Sequence, residues 1–545
     1  MKSLISDDAT SIRSEVTSPL PELCRFVDAL PEAIAQEDLS LLRRYGLYTQ
    51  RPAGDGFFMV RIRIPGGDLT PTRLETIADL ASKHGRAMVD ITVRQNLQLH
   101  WIRRESIPEI LDRLNSVGLS TAETCGDTAR NIVNCPVSGV DGDELYDTTG
   151  IIRELSTFLT GNQNYRGLPR KLKIAITGCS LLCVYPEIND IGIFAVRGPD
   201  GDPVFRVSVG GGLSTSPRFA RDLGISVRPW EVVEVCAAIA SVLSDRSRGR
   251  NSRDGAYFTV PDSELHDFRR CVETRIGRRF QLSEDRGPSG PAPKDRSHVG
   301  IHHQHTGGLY YVGLSITGGR TSSADLKNLS QLASKYGSGR VRTTNSQNVI
   351  LLDIARRNLA PLTLELRQAG FDYQPAWATK GLLACTGIQF CKLALTETKS
   401  RAAELGHELE KRLELDEPIR ISVTGCPNSC GQHHICDVGL EGSLTTVDGV
   451  KQEAFQVFLG GGVGSTQSFG RRVGARIPAD RLAGSLTALF MRYKELRSQQ
   501  ETFQDFCRRH SDGDLAAFLR SDEPPQPGPH QLPLDNPGRL VDQQC

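Results

Sequence analysis

Two pairs of cysteines in the C-terminal part of the chain have spacings typical of metal ligands. Cys385 and Cys391 form a C-x5-C pair in "ACTGIQFCK", and Cys426 and Cys430 form a C-x3-C pair in "TGCPNSCGQ". Four thiolates are the usual ligand set of a [4Fe–4S] cluster. Pro427 suits the first position of a helix, and a helical turn would put the Cys426 and Cys430 sulfurs on one face. A single C-x3-C also occurs in zinc sites and among buried apolar cysteines, but two glycine-flanked pairs predict a metal cofactor.

The C-x3-C phrase is written twice in the chain. "ITGCSLLCVYPEINDIGI" (176–193) and "VTGCPNSCGQHHICDVGL" (423–440) share Thr-Gly-Cys, the second Cys and a later Asp-apolar-Gly-apolar stretch. "IPGG" recurs as "ITGG", "LASKHG" as "LASKYG" and "VGGGLSTS" as "LGGGVGST", in the same order and at nearly the same offset. These matches predict an internal duplication of roughly 250 residues, which is too long a period for a solenoid repeat.

Each half has a mixed pattern of strands and helices. The stretch 57–67 alternates apolar and polar residues like a half-buried strand, and so does the stretch 89–102. Between them lies a helical pattern with Thr70 as candidate N-cap and Gly85 as candidate C-cap. The sequence therefore predicts an α+β fold. The Pro/Gly-rich stretch 286–296 is typical of a linker, and the residues from Ser521 onward are typical of a disordered tail.

The bulk composition excludes several classes of protein. The 65 Lys and Arg residues nearly balance the 64 Asp and Glu residues, which argues against general binding to nucleic acid or membranes. The N-terminus lacks the apolar core of a signal peptide, and no apolar run approaches the roughly 18 residues of a membrane span. We therefore expect a soluble cytoplasmic protein, in which clustered cysteines are ligands rather than disulfides.

The first half has an incomplete set of cysteines. Cys179 and Cys183 repeat the C-x3-C spacing, but the counterpart of the C-x5-C pair offers only Cys135. A second set of four cysteines is therefore missing unless Cys125 joins it. We interpret the early phrase as a relic of the duplication that was kept for its turn geometry and reused for something else.

The first half has cations at several positions where the second half lacks them. Arg94 aligns with Ser346, and Lys171 aligns with Pro418, whereas Lys173 meets another cation in the second half. Any one of these side chains, and Arg130, would ordinarily be a solvated surface charge. An extended strand, however, would turn Lys171 and Lys173 to one face. Two like charges on one face of a burying strand require an anion, so a converging set of Arg and Lys predicts a small-oxyanion site.

The cysteine phrases carry a family resemblance. "TGCPNSCGQHHICDVGL" and "ACTGIQFCKLALTETKSRA" resemble the nitrite and sulfite reductases that contain sirohaem and a [4Fe–4S] cluster, and the similarity extends over roughly residues 45–510. The resemblance implies an α+β, internally duplicated, three-lobed fold with ferredoxin-like half-domains around one sirohaem. It implies a cluster bound by Cys385, Cys391, Cys426 and Cys430, with Cys430 bridging to the sirohaem iron. It also places Arg94, Arg130, Lys171 and Lys173 at the anion pocket.

The duplication and the resemblance together predict a division of the chain. The expected parts are an N-terminal extension (1–44), a first ferredoxin-like half-domain (45–120), a first sirohaem domain on the substrate side (121–285), a linker (286–299), a second ferredoxin-like half-domain (300–375), a second sirohaem domain with the cluster (376–515) and a disordered tail (516–545).

The resemblance implies the six-electron reduction of an oxyanion with electrons from ferredoxin. Lysine can supply the protons, whereas arginine stays charged and can only attract and orient the anion. The cluster phrases are similar to the nitrite-reducing branch, but the Lys-x-Lys of "RKLK" is similar to the sulfite-reducing branch. We favour reduction of nitrite to ammonia, with reduction of sulfite to sulfide as the alternative.

Two other classes of function remain open at this point. A precorrin-3B synthase-like oxygenase can share the scaffold, and an electron carrier would need only the cluster. The glycine runs "GGGLS" and "GGGVGS" do not complete G-x-G-x-x-G, so we interpret them as turns near cofactor carboxylates and expect no nucleotide site. The electrons must then come from another protein, and an acidic ferredoxin could dock on the basic stretches 245–254 or 267–279.

Overall fold

The computed structural model describes residues 35–52, 56–247, 258–283 and 295–520. Its α-helices are α1 (Gln36–Arg44), α2 (Pro71–His84), α3 (Ile107–Ser116), α4 (Thr149–Leu159), α5 (Val232–Ser247), α6 (Leu265–Ile276), α7 (Ser323–Tyr336), α8 (Leu359–Gln368), α9 (Trp377–Lys380), α10 (Lys399–Arg412), α11 (Leu482–Leu496), α12 (Phe503–Arg509) and α13 (Asp512–Phe518).

The strands of the first half are β1 (Leu47–Thr49), β2 (Phe57–Ile62), β3 (Asp68–Leu69), β4 (Met88–Ile91), β5 (Leu97–Arg103), β6 (Val133–Asn134), β7 (Ile174–Thr177), β8 (Ile191–Arg197), β9 (Pro203–Val209), β10 (Arg221–Val227) and β11 (Gln281–Leu282). Those of the second half are β12 (Gly300–His303), β13 (Leu309–Leu314), β14 (Arg320–Ser322), β15 (Val341–Thr343), β16 (Val349–Ala355), β17 (Leu382–Ala384), β18 (Ile421–Thr424), β19 (Val438–Val447), β20 (Val450–Leu459) and β21 (Arg471–Pro478).

Two antiparallel five-stranded sheets exchange one strand with each other. Their strand orders are β1-β2-β5-β4-β14 and β12-β13-β16-β15-β3. In this exchange Arg320 of the second half pairs with Asp90, and Val341 pairs with Leu69 of the first half. One apolar core runs through both sheets and includes α2 and α7. The smaller lobe therefore joins equivalent pieces of both halves, as the family resemblance implies.

Local sequence signals account for the helix α2. The Thr70 side chain accepts a hydrogen bond from the Arg73 N–H, and Pro71 takes the first helical position. The helix ends at Gly85, whose N–H donates to the Ala81 carbonyl. Both predicted caps are confirmed.

Each of the two larger lobes is built on a mixed sheet. Three parallel strands, β6-β7-β8 in one lobe and β17-β18-β19 in the other, continue into antiparallel strands. The central strands β7 and β18 are buried along their whole length, which explains their uninterrupted apolar runs. Both Thr-Gly-Cys phrases leave the carboxyl end of such a strand, where ligands of parallel sheets commonly bind.

The ends of the predicted divisions are only partly described. Helix α13 extends to Phe518, so the first residues of the predicted tail (516–545) are helical, and the residues beyond 520 lie outside the described ranges. Most of the predicted linker, 286–294, lies outside them too. Among the described helices, none is long and apolar enough to cross a membrane.

Candidate anion pocket and cluster site

An extended segment before β7 presents the two predicted lysines. Leu172 is fully buried; its N–H donates to the Thr128 carbonyl at 3.0 Å, and its carbonyl accepts from the Arg130 N–H at 2.9 Å. Because side chains alternate along an extended segment, Lys171 and Lys173 lie on the face opposite Leu172. The expected common face for the two lysines is therefore formed.

Lys173 is tied to a carboxylate. The Lys173 N–H donates to an oxygen of Asp190 at 2.7 Å, and the Lys173 ammonium lies 3.6 Å from the same oxygen. Burial lowers the pKa of Lys173, and the Asp190 charge opposes this shift. The second half repeats the backbone contact, since the Arg420 N–H donates to Asp437 at 2.8 Å.

Arg94 is held rigidly in the turn between β4 and β5. Its Nη1 donates to the Asn189 side chain at 3.0 Å, and its Nη2 donates to the carbonyls of Asn131 and Ile174 at 2.5 and 3.1 Å. Its Nε is buried and has no hydrogen-bond partner within the described structure. Burial lowers the pKa of Arg94 to about 9, and the Arg130 charge contributes to this shift. One donor of Arg94 thus has no acceptor among the described residues.

Arg130 is anchored by backbone oxygens. Its Nε donates to the Gly126 carbonyl at 3.0 Å and its Nη1 to the Thr124 carbonyl at 2.9 Å. Only 9% of this residue is exposed. Holding a guanidinium in a loop by its own backbone fixes the direction of the remaining donors.

Each of the four predicted cations interacts electrostatically with two of the others. Burial lowers the pKa of Lys171 to about 8, and the charges of Arg130, Arg170 and Lys173 lower it too. The Cys430 thiolate raises this pKa, so Lys171 of the first half also lies near a cysteine of the second. Like charges crowded in a partly buried space favour a bound anion.

Arg218 is a further cation that sequence comparison missed. Its Nε donates to the Gly210 carbonyl at 2.9 Å, and its charge lowers the pKa of Lys173. A Cβ on Gly212 would lie 3.6 Å from the Arg218 guanidinium and 3.8 Å from the Lys173 ammonium, so both charges flank this glycine. The signal was present, because Arg218 aligns with Ser468 in the second glycine run.

The four predicted cluster ligands follow two neighbouring strands. Cys385 comes directly after β17, and its sulfur accepts a hydrogen bond from the Gly425 N–H at 3.2 Å. Burial raises the pKa of Cys385 to about 11, and the Cys430 charge adds to this shift. Burial also raises the pKa of Cys426, and Cys430, Cys391 and Cys385 raise it further. All four thiols are therefore electrostatic neighbours.

The expected helical turn at Pro427 is wrong. Residues 425–431 form turns and bends, and Ser429 has φ 54°, which takes it out of a right-handed helix. Cys426 is buried and Cys430 is exposed. The thiol predicted to reach the haem iron is thus the more accessible one of this pair.

The spread of the four thiols fits a cluster rather than one ion. No three of them lie mutually within 4.8 Å in the described structure. A multi-iron cluster needs such separation, because each thiolate binds a different iron. The residues present therefore fit the [4Fe–4S] group that the spacing predicts.

Cys125 does not complete a cysteine set in the first half. Its sulfur accepts from Arg61 Nη1 at 3.4 Å and lies beside the Thr124 hydroxyl, whereas Cys135, Cys179 and Cys183 share a separate apolar cluster. A second four-cysteine set is therefore absent among the described residues.

In both glycine runs a glycine lies against a backbone carbonyl, too close for a side chain to fit. A Cβ on Gly211 would lie 2.6 Å from the Glu187 carbonyl, and one on Gly461 would lie 2.5 Å from the Cys436 carbonyl. Between the lobes, the rings of Phe219 and Phe469 stack with centroids 4.1 Å apart. The runs are thus tight turns, as expected, and their place beside cofactor carboxylates remains a prediction.

The second half has a cavity where the first half has its cations. This cavity, of about 250 Å³, is lined by Ser346, Pro418 and Arg420 among other residues. These three align with Arg94, Lys171 and Lys173. The duplicated halves have therefore diverged at this position, since only the first half keeps the full set of cations.

One predicted docking patch is described. In and after α6, Arg275 pairs with Asp245 at 2.7 Å and Arg278 with Glu231 at 2.6 Å. These local ion pairs reduce the free positive charge of the stretch 267–279. Most of the other patch, 245–254, lies outside the described residues, and both remain predictions.

Comparison with known proteins gives consistent matches along the chain. A family model described as "Nitrite and sulphite reductase 4Fe-4S domain" matches residues 125–280 and 379–506. A model described as "Nitrite/Sulfite reductase ferredoxin-like half domain" matches residues 49–117 and 302–369.

Similar whole proteins carry two kinds of name. The sulfite reductase [ferredoxin] of Mycobacterium tuberculosis (strain ATCC 25618 / H37Rv) is 36% identical over 89% of this chain and 91% of its own length. The assimilatory ferredoxin-dependent nitrite reductase of Haloferax mediterranei is 34% identical over 90% of this chain and 88% of its own. The solved structure of the Mycobacterium tuberculosis NirA protein superposes with a TM-score of 0.86 at 34% identity, covering 93% of this chain and 97% of that one.

Proposed function

The chain belongs to the nitrite and sulphite reductase family, and from this premise we propose that it reduces nitrite to ammonia with electrons supplied by a ferredoxin. The relatives named nitrite reductase and those named sulfite reductase are all ferredoxin-dependent oxidoreductases. We choose nitrite over sulfite because of the net charge of the anion pocket.

The Lys173–Asp190 pair carries the choice of nitrite. A single oxygen of Asp190 accepts from the Lys173 N–H at 2.7 Å and lies 3.6 Å from the ammonium. This carboxylate is 3% exposed, so solvent screens it little and it offsets one positive charge of the pocket. The reduced net charge suits a monoanion such as nitrite better than a dianion.

The residues present fit the two cofactors of the family. Cys385, Cys391, Cys426 and Cys430 would hold the [4Fe–4S] cluster, and the accessible Cys430 would be shared with the sirohaem iron. When bound, the two cofactors would supply electrons one at a time for the reduction of the anion. Two buried donors have no acceptor among the described residues, Arg94 Nε and Arg170 Nη1, and they fit the anionic groups of cofactor and substrate.

Arg94 and Arg130 would attract and orient the anion. Their guanidinium groups are fixed by five hydrogen bonds to the protein, so little rotamer entropy is lost when the anion binds. Even with its pKa lowered to about 9 by burial, the Arg94 guanidinium keeps its proton near neutral pH. Binding and orientation are therefore the roles open to these two side chains.

Lys171 and Lys173 would supply protons. With its pKa lowered to about 8 by burial, the Lys171 ammonium can release a proton and regain it from solvent near neutral pH. Lys173 keeps its proton more firmly than burial alone would allow, because Asp190 stabilises the charged form. Burial thus lowers the pKa of both lysines, which makes both ammonium groups better acids than an exposed lysine.

Sulfite is the second candidate substrate. Two lysines on one face suit a dianion, and a relative named sulfite reductase is as similar to the chain as one named nitrite reductase. The test is product formation: the purified holoenzyme, given reduced ferredoxin and each anion in turn, should convert nitrite to ammonia faster than it converts sulfite to sulfide. Formation of neither product would favour the oxygenase or the electron carrier.

A further inference from the structure

A surface with several basic side chains lies beside the loop that carries two of the predicted cluster ligands. Most of these side chains are exposed and the others are half-buried. Lys392 directly follows the predicted ligand Cys391. Among the described residues, no ion pair involves any of these cations. We call this surface the cluster-side face, and it consists of Arg43, Arg51, Arg86, Arg103 and Lys392.

Hydrogen bonds tie part of this face to the cluster loop. The Arg51 N–H donates to the Phe390 carbonyl at 3.1 Å, and Arg51 Nη2 donates to the Lys392 carbonyl at 3.0 Å. The Lys392 ammonium donates to the Thr49 hydroxyl at 2.9 Å. Burial lowers the pKa of Lys392, and the charges of Arg43 and Arg51 lower it further. The positive charges on this face are therefore close enough to repel one another, which favours contact with an acidic partner.

An aromatic contact connects the surface with the cluster loop. The half-buried Trp101 has the exposed Arg86 guanidinium 3.9 Å from its ring centroid. On its other side, Trp101 meets Phe390 edge-on, with ring centroids 5.2 Å apart. Phe390 is buried and directly precedes the ligand Cys391. Tryptophan and arginine often carry most of the binding energy of protein interfaces, so this pair suits the centre of a docking surface.

The second half forms the same backbone arrangement at the equivalent place. The Trp101 N–H donates to the Gln50 side chain at 3.3 Å, and the Asp353 N–H donates to the Gln304 side chain at 3.1 Å. Trp101 and Asp353 also share a left-handed backbone, with φ of 63° and 60°. The duplication therefore provides an internal comparison for the cluster-side face.

The equivalent positions of the second half do not repeat the arginines and lysine. The residues that align with Arg51, Arg86, Arg103 and Lys392 are His305, Ser338, Ala355 and Gly142. The predicted cluster ligands lie beside only one of the two faces, and the arginines and lysine lie on that face. A role tied to the cluster explains this difference, whereas general solubility does not.

We propose that the cluster-side face is where the ferredoxin docks, with the acidic surface of that small iron–sulfur protein against Trp101 and the surrounding cations. This inference rests on the proposed function, because it names the docking site of the same electron donor. Electron transfer slows steeply with distance, so the donor must dock beside the cluster. Unpaired cations steer an acidic partner to the site and keep the complex short-lived, which suits repeated delivery of single electrons.

The basic stretch 267–279 is a weaker candidate for the same role. Arg275 pairs with Asp245 at 2.7 Å, and Arg278 pairs with Glu231 at 2.6 Å. These carboxylates offset the charge that an acidic partner would meet. The cluster-side face has no such offset among the described residues, so we place the docking site there.

Binding of oxidised ferredoxin tests the proposal without turnover. The holoenzyme is titrated at low ionic strength with an oxidised plant-type [2Fe–2S] ferredoxin, and Kd is measured by calorimetry. The double variant Arg51→Glu/Lys392→Glu should raise Kd at least about tenfold, because it replaces attraction by repulsion. The matched control is Arg357→Glu, at an exposed arginine of the second ferredoxin-like half, which should change Kd less than about twofold.

Turnover with two donors separates docking from chemistry. With reduced methyl viologen, a small donor that needs no docking face, the double variant should reduce nitrite at the parent rate. With reduced ferredoxin, its KM for ferredoxin should rise at least about tenfold. If the parent enzyme did not reduce nitrite with methyl viologen, the proposed function would be wrong, whereas the docking face would still be decided by Kd.

Two results would overturn the docking face. One is an unchanged Kd in Arg51→Glu/Lys392→Glu with the haem and cluster absorbance intact. The other is an equal rise of Kd in Arg275→Glu, which would favour the stretch 267–279. If Arg51→Glu/Lys392→Glu loses its cofactors, Arg86→Glu/Arg103→Glu takes its place, because both arginines are exposed on the same face and precede the cluster loop by more than 250 residues in the chain.

Discussion

Lys173 and Asp190 are joined twice, by a backbone hydrogen bond of 2.7 Å and by an ammonium–carboxylate separation of 3.6 Å. The pair sits among Arg94, Arg218 and Lys171, which all carry positive charge. Asp190 is therefore the one group in this set that lowers the positive charge of the pocket. This relationship links the local geometry to the choice of substrate.

Replacing Asp190 by Asn should shift the enzyme toward dianions. The amide keeps an oxygen that accepts the Lys173 N–H but removes the negative charge. We expect the ratio of kcat/KM for nitrite to that for sulfite to fall about tenfold, which corresponds to roughly 1.4 kcal/mol. Steady-state kinetics with both anions measures this ratio.

The matched control for that prediction is Asp437→Asn. Asp437 accepts the Arg420 N–H in the second half, so this change makes the same local alteration away from the anion pocket. It should leave the ratio within about twofold of the parent value. An equal fall in both variants would show that Asp190 acts through the fold and not through the pocket charge.

Replacing Lys171 by Met should remove a proton donor. We expect kcat for nitrite to fall by about 10²-fold or more, because positioned acids contribute factors of this size. Lys171→Arg keeps the charge and cannot release a proton, so it should restore anion affinity but not kcat. The control is Lys451→Met, which makes the same substitution at an exposed lysine and should leave kcat unchanged. Full turnover in Lys171→Met with both cofactors bound would show that Lys171 is not the proton donor.

The pH profile should report on Lys171. Its pKa is lowered to about 8, first by burial and then by neighbouring cations, against the Cys430 charge. The protonated form needed as acid is present below this pKa and is lost above it. kcat/KM for nitrite should therefore be level below about pH 8 and fall about tenfold per pH unit above it. If kcat/KM of Lys171→Arg fell in the same way above pH 8, the titrating group would not be Lys171.

Arg218 should strengthen anion binding. Arg218→Ser introduces the residue found at the aligned position of the second half, and we expect KM for nitrite to rise about tenfold with a smaller change in kcat. Arg218→Lys should recover part of the loss, because it restores the charge without the planar donor set. An unchanged KM in Arg218→Ser would show that this cation does not reach the substrate.

The proposed cluster ligands include Cys426 but not the nearby Cys436. Cys426→Ser should lose the iron–sulfur absorbance and the acid-labile sulfide, since serine does not replace a thiolate ligand well. Cys436→Ser is the matched control, because this buried thiol donates to the Gln432 carbonyl and takes no part in the proposed ligand set. Iron and sulfide analysis of the two purified variants should give opposite results.

Much of this architecture was predictable from local signals. The Thr70 cap, the glycine that ends α2 and the alternation around Leu172 all depend on neighbouring residues, so the sequence predicts them directly. The duplication also predicted which positions differ between the halves. Those differences pointed to Arg94 and Lys171.

Other features depend on contacts that local sequence does not encode. The exchange of β3 and β14 is a long-range pairing set by the packing of both halves. The left-handed Ser429, where a helical turn was expected, shows that local preference for a helix start was overridden. Arg218 also differs between the halves, since it aligns with Ser468, but its proximity to Lys173 across a tight glycine turn is visible only in the folded chain.

The most direct test of the central claim is the steady-state turnover of nitrite and sulfite, side by side, by the holoenzyme with reduced ferredoxin as donor. We predict a kcat/KM at least about tenfold higher for nitrite than for sulfite, because Asp190 reduces the positive charge of the pocket. A higher kcat/KM for sulfite would contradict it, and would mean that Lys171 and Lys173 together set the preference for a dianion.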